Sequence, residues 1–554
     1  MDVGGTHTDA VLIDGDRIRT KAKVLTNASD LIDSLLKAAE ALHVGEHASS
    51  IKRAVLSTTI STNAIVQNKV DKVGMILSSG PGMALHDWLR DRTAHMVSGS
   101  INHRGIEVES IRKDEIDRVG VQLRDQGISH LAVVGKFSTR NPGHELAIRD
   151  TIGDGFGHVS LGHRMSGHLG FPRRIWTTYL NAAIFDTYRS FVAAVRGLWG
   201  TLGEGVPIHV LKADGGTCSL EKSIEYPVQT ILSGPAASIM GVLSLADCGT
   251  DAVALDIGGT TTDIAVLAGG VPLLEPLGVQ IGGLKTLIRG LRTHSIGVGG
   301  DSVVRFEKGT LTIGPGRDGP AAAFGGTGPT PTDAMVELGL LPAGDRDRAV
   351  SSLQGLARDM QLTVRETAER IYDQACREIA ESIGRLVQEI NREPVYTIHD
   401  MLEGRRIDPR GLYVVGGPAV PMAKRLSELL GLPAHIPPHA EVANAVGAAL
   451  ARTTAEITVL ADTEMEVMTI VEEGSRQKIS PRFSRNDAYQ VCRDRLHRLA
   501  RDMGARDDGM EMDIVEDQEF NMVRGYYTTG KNIRVKAQIK PGLISNIRRE
   551  EAGR

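Results

Sequence analysis

The chain has 554 residues and a formal net charge of −5, from 63 Lys and Arg against 68 Asp and Glu. This slightly acidic balance lacks the basic surface that attracts nucleic acids or anionic membranes. The four cysteines have no CxxC spacing, which excludes a disulfide framework and a zinc ribbon. No uncharged apolar run is as long as the ~18 residues of a membrane span, so we expect a cytoplasmic protein.

The first predicted element is a hairpin, and its sequence occurs twice. Residues 2–9 read DVGGTHTD and residues 256–263 read DIGGTTTD, with six of the eight positions identical. Each copy continues into apolar residues, which predicts a β-strand, a tight Gly-Gly turn and an antiparallel strand. Two copies this far apart predict two related lobes rather than a solenoid. Because the first copy begins at residue 2, we also expect the natural chain to extend upstream.

Further elements alternate between strands and helices. Apolar periodicity predicts helices at 30–43, 363–391 and 419–430, and strand-like runs occur at 53–57, 72–77, 131–135 and 412–415. This alternation favours an α/β fold. After about residue 455 charges become denser and the glycine signatures stop, which predicts an appended region.

The repeated hairpin has the composition of a phosphate-binding turn. Small residues let backbone N–H groups approach an anion closely, and threonine hydroxyls add donors. An aspartate at the strand end can hold Mg²⁺, usually through water. We therefore predict that Asp2 and Asp256 are metal-binding and catalytic, and that phosphates contact Gly4, Gly5, Thr6, Gly258, Gly259 and Thr260. We expect Thr8, Thr262, Asp9 and Asp263 to close their own hairpins.

A third glycine signal lies late in the chain. Gly416 and Gly417 follow the predicted strand at 412–415 and precede a helix. Glycines at this place leave room for a flat adenosine against the backbone. They are therefore predicted to be cofactor-binding.

These three features resemble the actin, heat-shock chaperone and sugar kinase superfamily, which has two ribonuclease H-like lobes with ATP in the cleft between them. A narrower resemblance, to the hydantoinase A/5-oxoprolinase family, covers residues 1 to about 452. It is carried by STTISTNA (57–64), KFSTRNPGHE (136–145), DGG (214–216), SGPAAS (233–238), SIGVGGDS (295–302) and PTPTDA (329–334). We expect a first lobe at 1–180, a second lobe at 181–455 and a C-terminal α/β region at 456–554.

The resemblance implies an ATP- and Mg²⁺-dependent hydrolase subunit. It would phosphorylate a cyclic amide, such as a hydantoin, oxoproline or lactam, for ring opening with a B-type partner subunit. Three alternatives stay open from the sequence. They are a chaperone-like ATPase that reactivates a partner enzyme, a subunit that phosphorylates an enolate as in acetone and acetophenone carboxylases, and a stand-alone small-molecule kinase.

Three aspartates are candidate general bases near the predicted cleft. Asp301 stands where the family pattern has glycine, and we assign it a catalytic role; Asp214 and Asp333 are further candidates. All three residues also suit turns and helix N-caps. His158, His163 and His168 recur every five residues, which fits neither a helix face nor a zinc spacing and predicts a solvated loop.

Overall fold

The computed structural model describes residues 1–27, 30–83, 89, 92–202, 205–275, 277–392, 406–505 and 510–548. Within these residues no helix is long and apolar enough to cross a membrane. Each of the four cysteines is buried.

The N-terminal half of the chain builds two sheets and their helices. It begins with β1 (Asp2–Val3), β2 (His7–Asp14), β3 (Arg17–Leu25), α1 (Leu31–Ala41), α2 (Val44–His47), β4 (Ala54–Thr58) and α3 (Ile60–Val66). It continues with β5 (Val73–Ser78), β6 (Ala94–Met96), β7 (Ser100–Ile101), β8 (Glu107–Glu109), α4 (Lys113–Asp125), β9 (His130–Gly135), α5 (Gly143–Ile152), β10 (His158–Leu161) and α6 (Gly162–Met165). It ends with α7 (Phe171–Ala183), α8 (Phe185–Leu202), β11 (Ile208–Leu211), β12 (Thr217–Ser219), α9 (Leu220–Ser223) and α10 (Ser233–Leu245).

The C-terminal half supplies a third sheet and a separate C-terminal sheet. Its first strands are β13 (Ala252–Ile257), β14 (Thr262–Ala268), β15 (Val271–Pro272), β16 (Gln280–Ile281), β17 (Leu284–Lys285), β18 (Thr293–Ile296), β19 (Val304–Glu307) and β20 (Thr310–Ile313). Next come α11 (Pro331–Glu337), α12 (Arg346–Met360), α13 (Val364–Arg392), β21 (Leu412–Val415), α14 (Ala419–Leu430), β22 (Ala434–His435) and α15 (Ala443–Leu450). The last elements are β23 (Glu456–Asp462), β24 (Val467–Ile470), β25 (Ser475–Lys478), α16 (Arg485–Asp502), β26 (Met512–Arg524) and β27 (Tyr527–Ile539).

The two lobes repeat one arrangement of strands. The first sheet has the order β12-β11-β4-β1-β2-β3, in which β1 is antiparallel to β2 and parallel to β4. The sheet of the second lobe has the order β15-β14-β13-β21-β22, in which β13 is antiparallel to β14 and parallel to β21. Both predicted hairpins and the two-lobed α/β fold are therefore confirmed. The C-terminal region has its own antiparallel sheet, β25-β24-β23-β27-β26, with α16 packed against it.

Two helices, α10 and α15, lie between the sheets of the lobes. Their backbones touch at glycines: a Cβ on Gly241 would lie 2.2 Å from the carbonyl oxygen of Ala443, and one on Gly447 would lie 2.2 Å from that of Ala237. The apolar core around the two helices takes in Val55 of the first sheet together with strands β13 and β14 of the second. A side chain at either glycine would push the helices, and with them the lobes, apart.

The long helix α13 follows the predicted apolar stripe. Ile371, Ala375, Ile379, Ile383 and Leu386 are buried against β13, β14, β21 and α14 in the core of the second lobe. Isoleucines and alanines at three- and four-residue spacing form one helix face, which the sheet covers. The apolar stripe is thus buried inside the second lobe.

Two sequence-based expectations differ from the structure. Strands β11 and β12 lie in the sheet of the first lobe, although the expected boundary at residue 180 assigned them to the second lobe; β11 reaches β4 through parallel pairing. The three histidines do not form a solvated loop. His158 lies on β10, His168 is half-buried, and His163 is buried with its Nδ1 2.6 Å from the buried Glu145 carboxylate. The contact between His163 and Glu145 cannot be inferred from the five-residue spacing of the histidines.

Candidate functional site

The two Asp-Gly-Gly-Thr hairpins present aspartates at corresponding positions. Asp2, at the start of β1, lies opposite Asp9 on β2, and Asp256, near the end of β13, lies opposite Asp263 on β14. Asp9 is neutralised by Lys23, whose Nζ lies 2.7 Å from Asp9 Oδ1, and Asp263 accepts a hydrogen bond from Ser295. Asp9 and Asp263 thus have partners within their own sheets.

The turns of the two hairpins have the same hydrogen bond. Gly4 donates its N–H to the carbonyl of His7 at 3.1 Å, and Gly258 donates to the carbonyl of Thr261 at 2.9 Å. Gly5 is exposed, and no atom lies within 4 Å of where its Cβ would be. The backbone of the first turn is therefore open to a ligand, as phosphate binding requires.

The segment SIGVGGDS packs directly on the second turn. Gly300 donates its N–H to the carbonyl of Gly258 at 2.9 Å, and Asp301 donates to that of Gly259 at 2.6 Å. A Cβ on Gly299 would lie 2.7 Å from both of these carbonyl oxygens. Glycine at 299 is thus needed for the close approach, and the packing brings the Asp301 carboxylate to the turn.

Arg317 joins the two hairpins. Its Nη1 donates to the hydroxyl of Thr6 at 3.2 Å, its Nη2 donates to Asp301 Oδ2 at 3.1 Å, and its Nε donates to the carbonyl of Gly319 at 3.0 Å. A Cβ on Gly259 would lie 2.9 Å from Asp301 Oδ2 and 3.7 Å from Thr6 Oγ1. A fixed positive charge therefore lies where the turns of the two lobes meet.

Asp256 is held by the two helices between the lobes. Its Oδ2 accepts a hydrogen bond from Ser238 Oγ of α10 at 2.6 Å and another from Asn444 Nδ2 of α15 at 3.1 Å. Two donors from different helices fix the orientation of the carboxylate. Ser238 and Asn444 thereby couple Asp256 to the helix pair.

Negative charge is concentrated around the two strand ends. Burial raises the pKa of Asp2 to about 6, and the carboxylates of Asp9 and Asp256 add to this effect. Burial together with the Asp256 charge raises the pKa of Asp263 to about 7. These carboxylates are desolvated and only partly neutralised, so a cation at this place would be favourable.

The strand-end aspartates fit a hydrated magnesium ion. Mg²⁺ takes oxygen ligands and keeps several of its waters, so one or two carboxylates suffice. Asp2 Oδ1 is buried and has no hydrogen-bond partner among the described residues. This unsatisfied oxygen could accept a water of the hydrated ion, and the metal role of Asp2 and Asp256 stays a prediction.

Gly416 and Gly417 differ in their surroundings. Gly416 has a φ of +98°, and a Cβ there would lie 2.3 Å from the carbonyl oxygen of Ile257 and 2.7 Å from Asp256 Oδ1. Glycine at 416 is therefore required for the end of β21 to pass Asp256. Gly417 is exposed and has open space where a side chain would be. A contact between these glycines and adenosine stays a prediction.

Of the three candidate bases, Asp301 lies at the hairpins. Burial raises its pKa, which the Arg317 charge opposes. Asp333 instead caps α11, where it accepts from the backbone of Ala322, Ala323 and Thr330. Asp214 is buried beside Lys212 and accepts a hydrogen bond from Thr454 at 3.0 Å. The hydrogen bonds of Asp214 and Asp333 therefore explain these two residues as structural.

Three residues of this site were not predicted from the sequence: Arg317, Ser238 and Asn444. Ser238 lies within the SGPAAS segment, so a signal for it existed. Arg317 and Asn444 lie in segments where nothing in the local pattern distinguishes them from surface residues. Their contacts join positions 311 and 188 residues apart along the chain.

The fold and these paired turns define a two-lobed protein of the actin-like class with an added C-terminal region. The sequence matches the hydantoinase/oxoprolinase N-terminal region over residues 1–154 and the hydantoinase/oxoprolinase profile over residues 174–457. The chain belongs to the hydantoinase/oxoprolinase family.

Two curated relatives illustrate the range of this family. The chain is 26% identical over 483 residues to the caprolactamase subunit alpha of Pseudomonas jessenii, and the match covers 78% of this chain and 66% of the relative. It is 28% identical over 393 residues to the acetophenone carboxylase gamma subunit of Aromatoleum aromaticum, covering 62% of this chain and 53% of the relative. The chain thus spans less than two thirds of the length of these relatives.

Two solved structures share the fold over nearly the whole chain. The ATP-dependent caprolactamase from Pseudomonas jessenii superimposes with a TM-score of 0.73 at 20% identity, over 97% of this chain and 86% of that one. A nucleotide-free acetone carboxylase gives a TM-score of 0.74 at 18% identity, over 99% of this chain and 88% of that one. The architecture, including the C-terminal sheet, is therefore a shared one.

Proposed function

We propose that this chain binds ATP with Mg²⁺ between its two hairpins and phosphorylates the amide oxygen of a cyclic amide. The observation that carries the proposal is the meeting of the duplicated Asp-Gly-Gly-Thr turns at Arg317, which contacts Thr6 and Asp301. Open glycine backbone, hydroxyls and a guanidinium converge there, beside unneutralised carboxylates. Phosphoryl transfer depends on such positioning and charge stabilisation rather than on a protein nucleophile.

The residues of the chain have separate roles in this proposal. The backbone N–H groups of Gly5 and Gly259 donate hydrogen bonds to phosphate oxygens. Arg317 stabilises the negative charge that spreads over the transferred phosphoryl group. Mg²⁺ held through water by Asp2 and Asp256 would neutralise charge on the phosphates. Ser238 and Asn444 keep the Asp256 carboxylate in a fixed orientation.

The proposed reaction makes a poor electrophile into a good one. The amide oxygen attacks the γ-phosphorus and ADP leaves, which produces an imidate phosphate. Asp301, with its raised pKa, accepts the ring N–H proton as the C=N bond forms. Water then attacks the former carbonyl carbon, and the ring C–N bond breaks as the nitrogen takes up a proton, which leaves an acyl phosphate. A second water attacks the carbonyl carbon of this acyl phosphate, and phosphate departs with the original amide oxygen. Amide resonance makes the same hydrolysis slow without this activation.

A B-type partner subunit is proposed to complete ring opening. The caprolactamase and acetophenone carboxylase relatives are both named as subunits, and the first of them supports a cyclic amide substrate. The second candidate function is phosphorylation of an enolate, which the match to the acetophenone carboxylase gamma subunit favours. In that case the enolate oxygen replaces the amide oxygen as the attacking atom.

Oxygen-isotope transfer tests the proposal. The chain, coexpressed with any B-type subunit from its native host, is given ATP and hydantoin, 5-oxoproline or caprolactam labelled with ¹⁸O at the carbonyl. We expect one ¹⁸O atom to appear in inorganic phosphate, detected by its ³¹P NMR shift, with one ADP formed per ring opened.

The controls separate the candidate functions. Asp256→Asn should abolish label transfer, whereas Asp114→Asn, an exposed substitution on α4, should leave it unchanged. Label transfer from an ¹⁸O-labelled ketone with bicarbonate present would support the enolate reaction. Absence of ATP binding by the folded wild-type chain would contradict both candidates, and restoration of an inactive partner enzyme without labelled phosphate would favour the reactivating ATPase.

A further inference from the structure

A second cluster of metal-ligating side chains lies away from the hairpins, at one edge of the four-stranded sheet β10-β9-β5-β6. Asp71 precedes β5, His130 begins β9, and Asp186 lies in the first turn of α8. His130 Nε2 is 3.0 Å from Asp186 Oδ2 and 3.8 Å from Asp71 Oδ2. The three ligand atoms all lie within 4.8 Å of one another.

One carboxylate oxygen of this cluster is buried without a hydrogen-bond partner in the described part of the chain. Asp71 Oδ2 is buried and has no hydrogen-bond partner among the described residues. Arg189 reaches the other oxygen of Asp186, Oδ1, at 2.8 Å, so its charge does not lie between the two carboxylates. The His130 side chain is only 2% exposed. Two carboxylate oxygens therefore face one buried imidazole nitrogen.

The backbone fixes these positions. The N–H of Asp71 donates to the carbonyl of Ala183, at the end of α7, at 2.8 Å, and α8 begins two residues further on. His130 is held in register between Val73 of β5 and His158 of β10. The three side chains are thus positioned by strand β9, by the start of helix α8 and by a loop that is hydrogen-bonded to the end of α7.

The separations suit a bound ion. Ligand atoms about 2.1 Å from a metal lie about 3.0 Å apart in octahedral and about 3.4 Å apart in tetrahedral geometry. The observed 3.0 and 3.8 Å bracket these values, so a small movement of the Asp71 side chain completes the arrangement. The Asp71 and Asp186 side chains are 33% and 41% exposed, which gives an ion access from solvent and room for water ligands.

We propose that Asp71, His130 and Asp186 bind one divalent cation of the first transition row, with water completing its coordination. Two carboxylates and one imidazole are a ligand set that suits Mn²⁺ and Zn²⁺ better than Mg²⁺. Nε2 is the ring nitrogen of His130 that faces both carboxylates, and a neutral imidazole can offer this nitrogen as a ligand. The ion links the loop before β5, strand β9 and helix α8, and therefore stabilises the first lobe.

Metal content in a variant that lacks the cleft aspartate tests the proposal without interference from the nucleotide site. Full-length, nucleotide-free Asp256→Asn protein is stripped with a chelator, dialysed against Mn²⁺ and analysed by mass spectrometry. We expect one Mn²⁺ per chain and a melting temperature higher than that of the stripped protein. Adding Asp71→Asn should remove this equivalent and the shift in melting temperature, whereas adding Asp114→Asn should preserve both.

Electron spin-echo spectroscopy of the bound Mn²⁺ gives an answer that does not require the Asp71→Asn variant to fold. In the Asp256→Asn protein we expect modulation from one imidazole nitrogen, which His130 supplies. Absence of bound Mn²⁺, absence of the nitrogen signal, or an unchanged metal content after Asp71→Asn would each overturn the proposal.

Discussion

Arg317 donates a hydrogen bond to the hydroxyl of Thr6 at 3.2 Å, so that a side chain of the second lobe holds the Gly-Gly turn of the first. The same guanidinium is paired with Asp301 at 3.1 Å. A cation in this position can exchange Thr6 for a phosphate oxygen without moving far. The pair therefore gives the proposed transfer its first test.

Replacing Arg317 with lysine should lower kcat by about 100-fold, the usual effect of losing one donor aimed at developing charge. Lysine keeps the charge but cannot contact the phosphoryl group and Asp301 together. ADP release with the best substrate of the panel gives kcat, and calorimetry gives the dissociation constant of ADP, which we expect to change less than about threefold. If the affinity for ADP fell by the same factor as kcat, the main role of Arg317 would instead be to hold the two lobes together.

Asp2→Asn should separate stability from activity. The Asp2 carboxylate is buried, has a pKa raised to about 6 and has one oxygen without a partner among the described residues. Its ionised form is therefore unfavourable in the folded chain without a cation. We expect the asparagine variant to have a higher melting temperature in the presence of EDTA and weaker binding of ATP with Mg²⁺ by calorimetry. A lower melting temperature would show that the carboxylate is structural.

Asp263→Asn should stabilise the protein in a pH-dependent manner. The pKa of Asp263 is about 7 in the folded chain against 3.8 as its ordinary value. The folded chain therefore holds a proton that the unfolded chain lacks between about pH 4 and pH 7, and stability from this group is lost as pH rises through about 7. The variant should unfold at a higher temperature than wild type, and the difference should be larger at about pH 8 than at about pH 5, because the loss accumulates between the two pKa values. Equal shifts at both values would rule out this carboxylate as the cause.

Binding of the metal should release protons. Because Asp2 and Asp263 titrate near pH 6 and 7, part of the hairpin carboxylates is protonated at neutral pH. A cation favours the ionised form, so the affinity for ATP with Mg²⁺ should fall as pH drops from about 7 to about 6. Calorimetry in two buffers with different ionisation enthalpies measures the proton count. An affinity independent of pH over this range would contradict a metal at these carboxylates.

Gly447→Ala should destabilise the protein strongly. Its Cβ would lie 2.2 Å from the carbonyl oxygen of Ala237 and 2.3 Å from the N of Gly241, and backbone atoms cannot move aside. We expect a loss of about 1–3 kcal/mol in the free energy of unfolding, as for an overpacked core. Gly355→Ala in α12 is the matched control: no atom lies within 4 Å of its Cβ position, so it should gain about 0.5–1 kcal/mol from helix propensity. Chemical denaturation compares the two.

The local elements were predictable because their signals are local. The predicted strand at 412–415 and the predicted helix at 419–430 match β21 and α14, since a short buried run and a glycine break determine them. The two hairpins were predictable because each Gly-Gly turn is followed by an apolar run and the segment occurs twice. The sheet position of β11 was not, because parallel pairing with β4 depends on the path of α7 and α8 between them.

The site was only half predictable, for a related reason. Asp2, Asp256 and the turn glycines are recognisable from one segment and its copy. Arg317 contacts Thr6, and Asn444 contacts Asp256, only because the lobes fold against each other, and neither residue belongs to a pattern. His163 was misassigned because its partner, Glu145, is 18 residues away and the ion pair is buried.

We expect the contact between helices α10 and α15 to be the pivot about which the two lobes rotate. The backbones of the two helices meet at Gly241 and Gly447, so neither of these residues places a side chain between the helices. We expect the lobes to open and close by swivelling about this point. Ser238 and Asn444 extend from the same two helices and donate hydrogen bonds to Asp256. We therefore expect the orientation of the Asp256 carboxylate to change with the angle between the lobes. A ligand that fixes Asp256 would thereby fix the angle between the lobes.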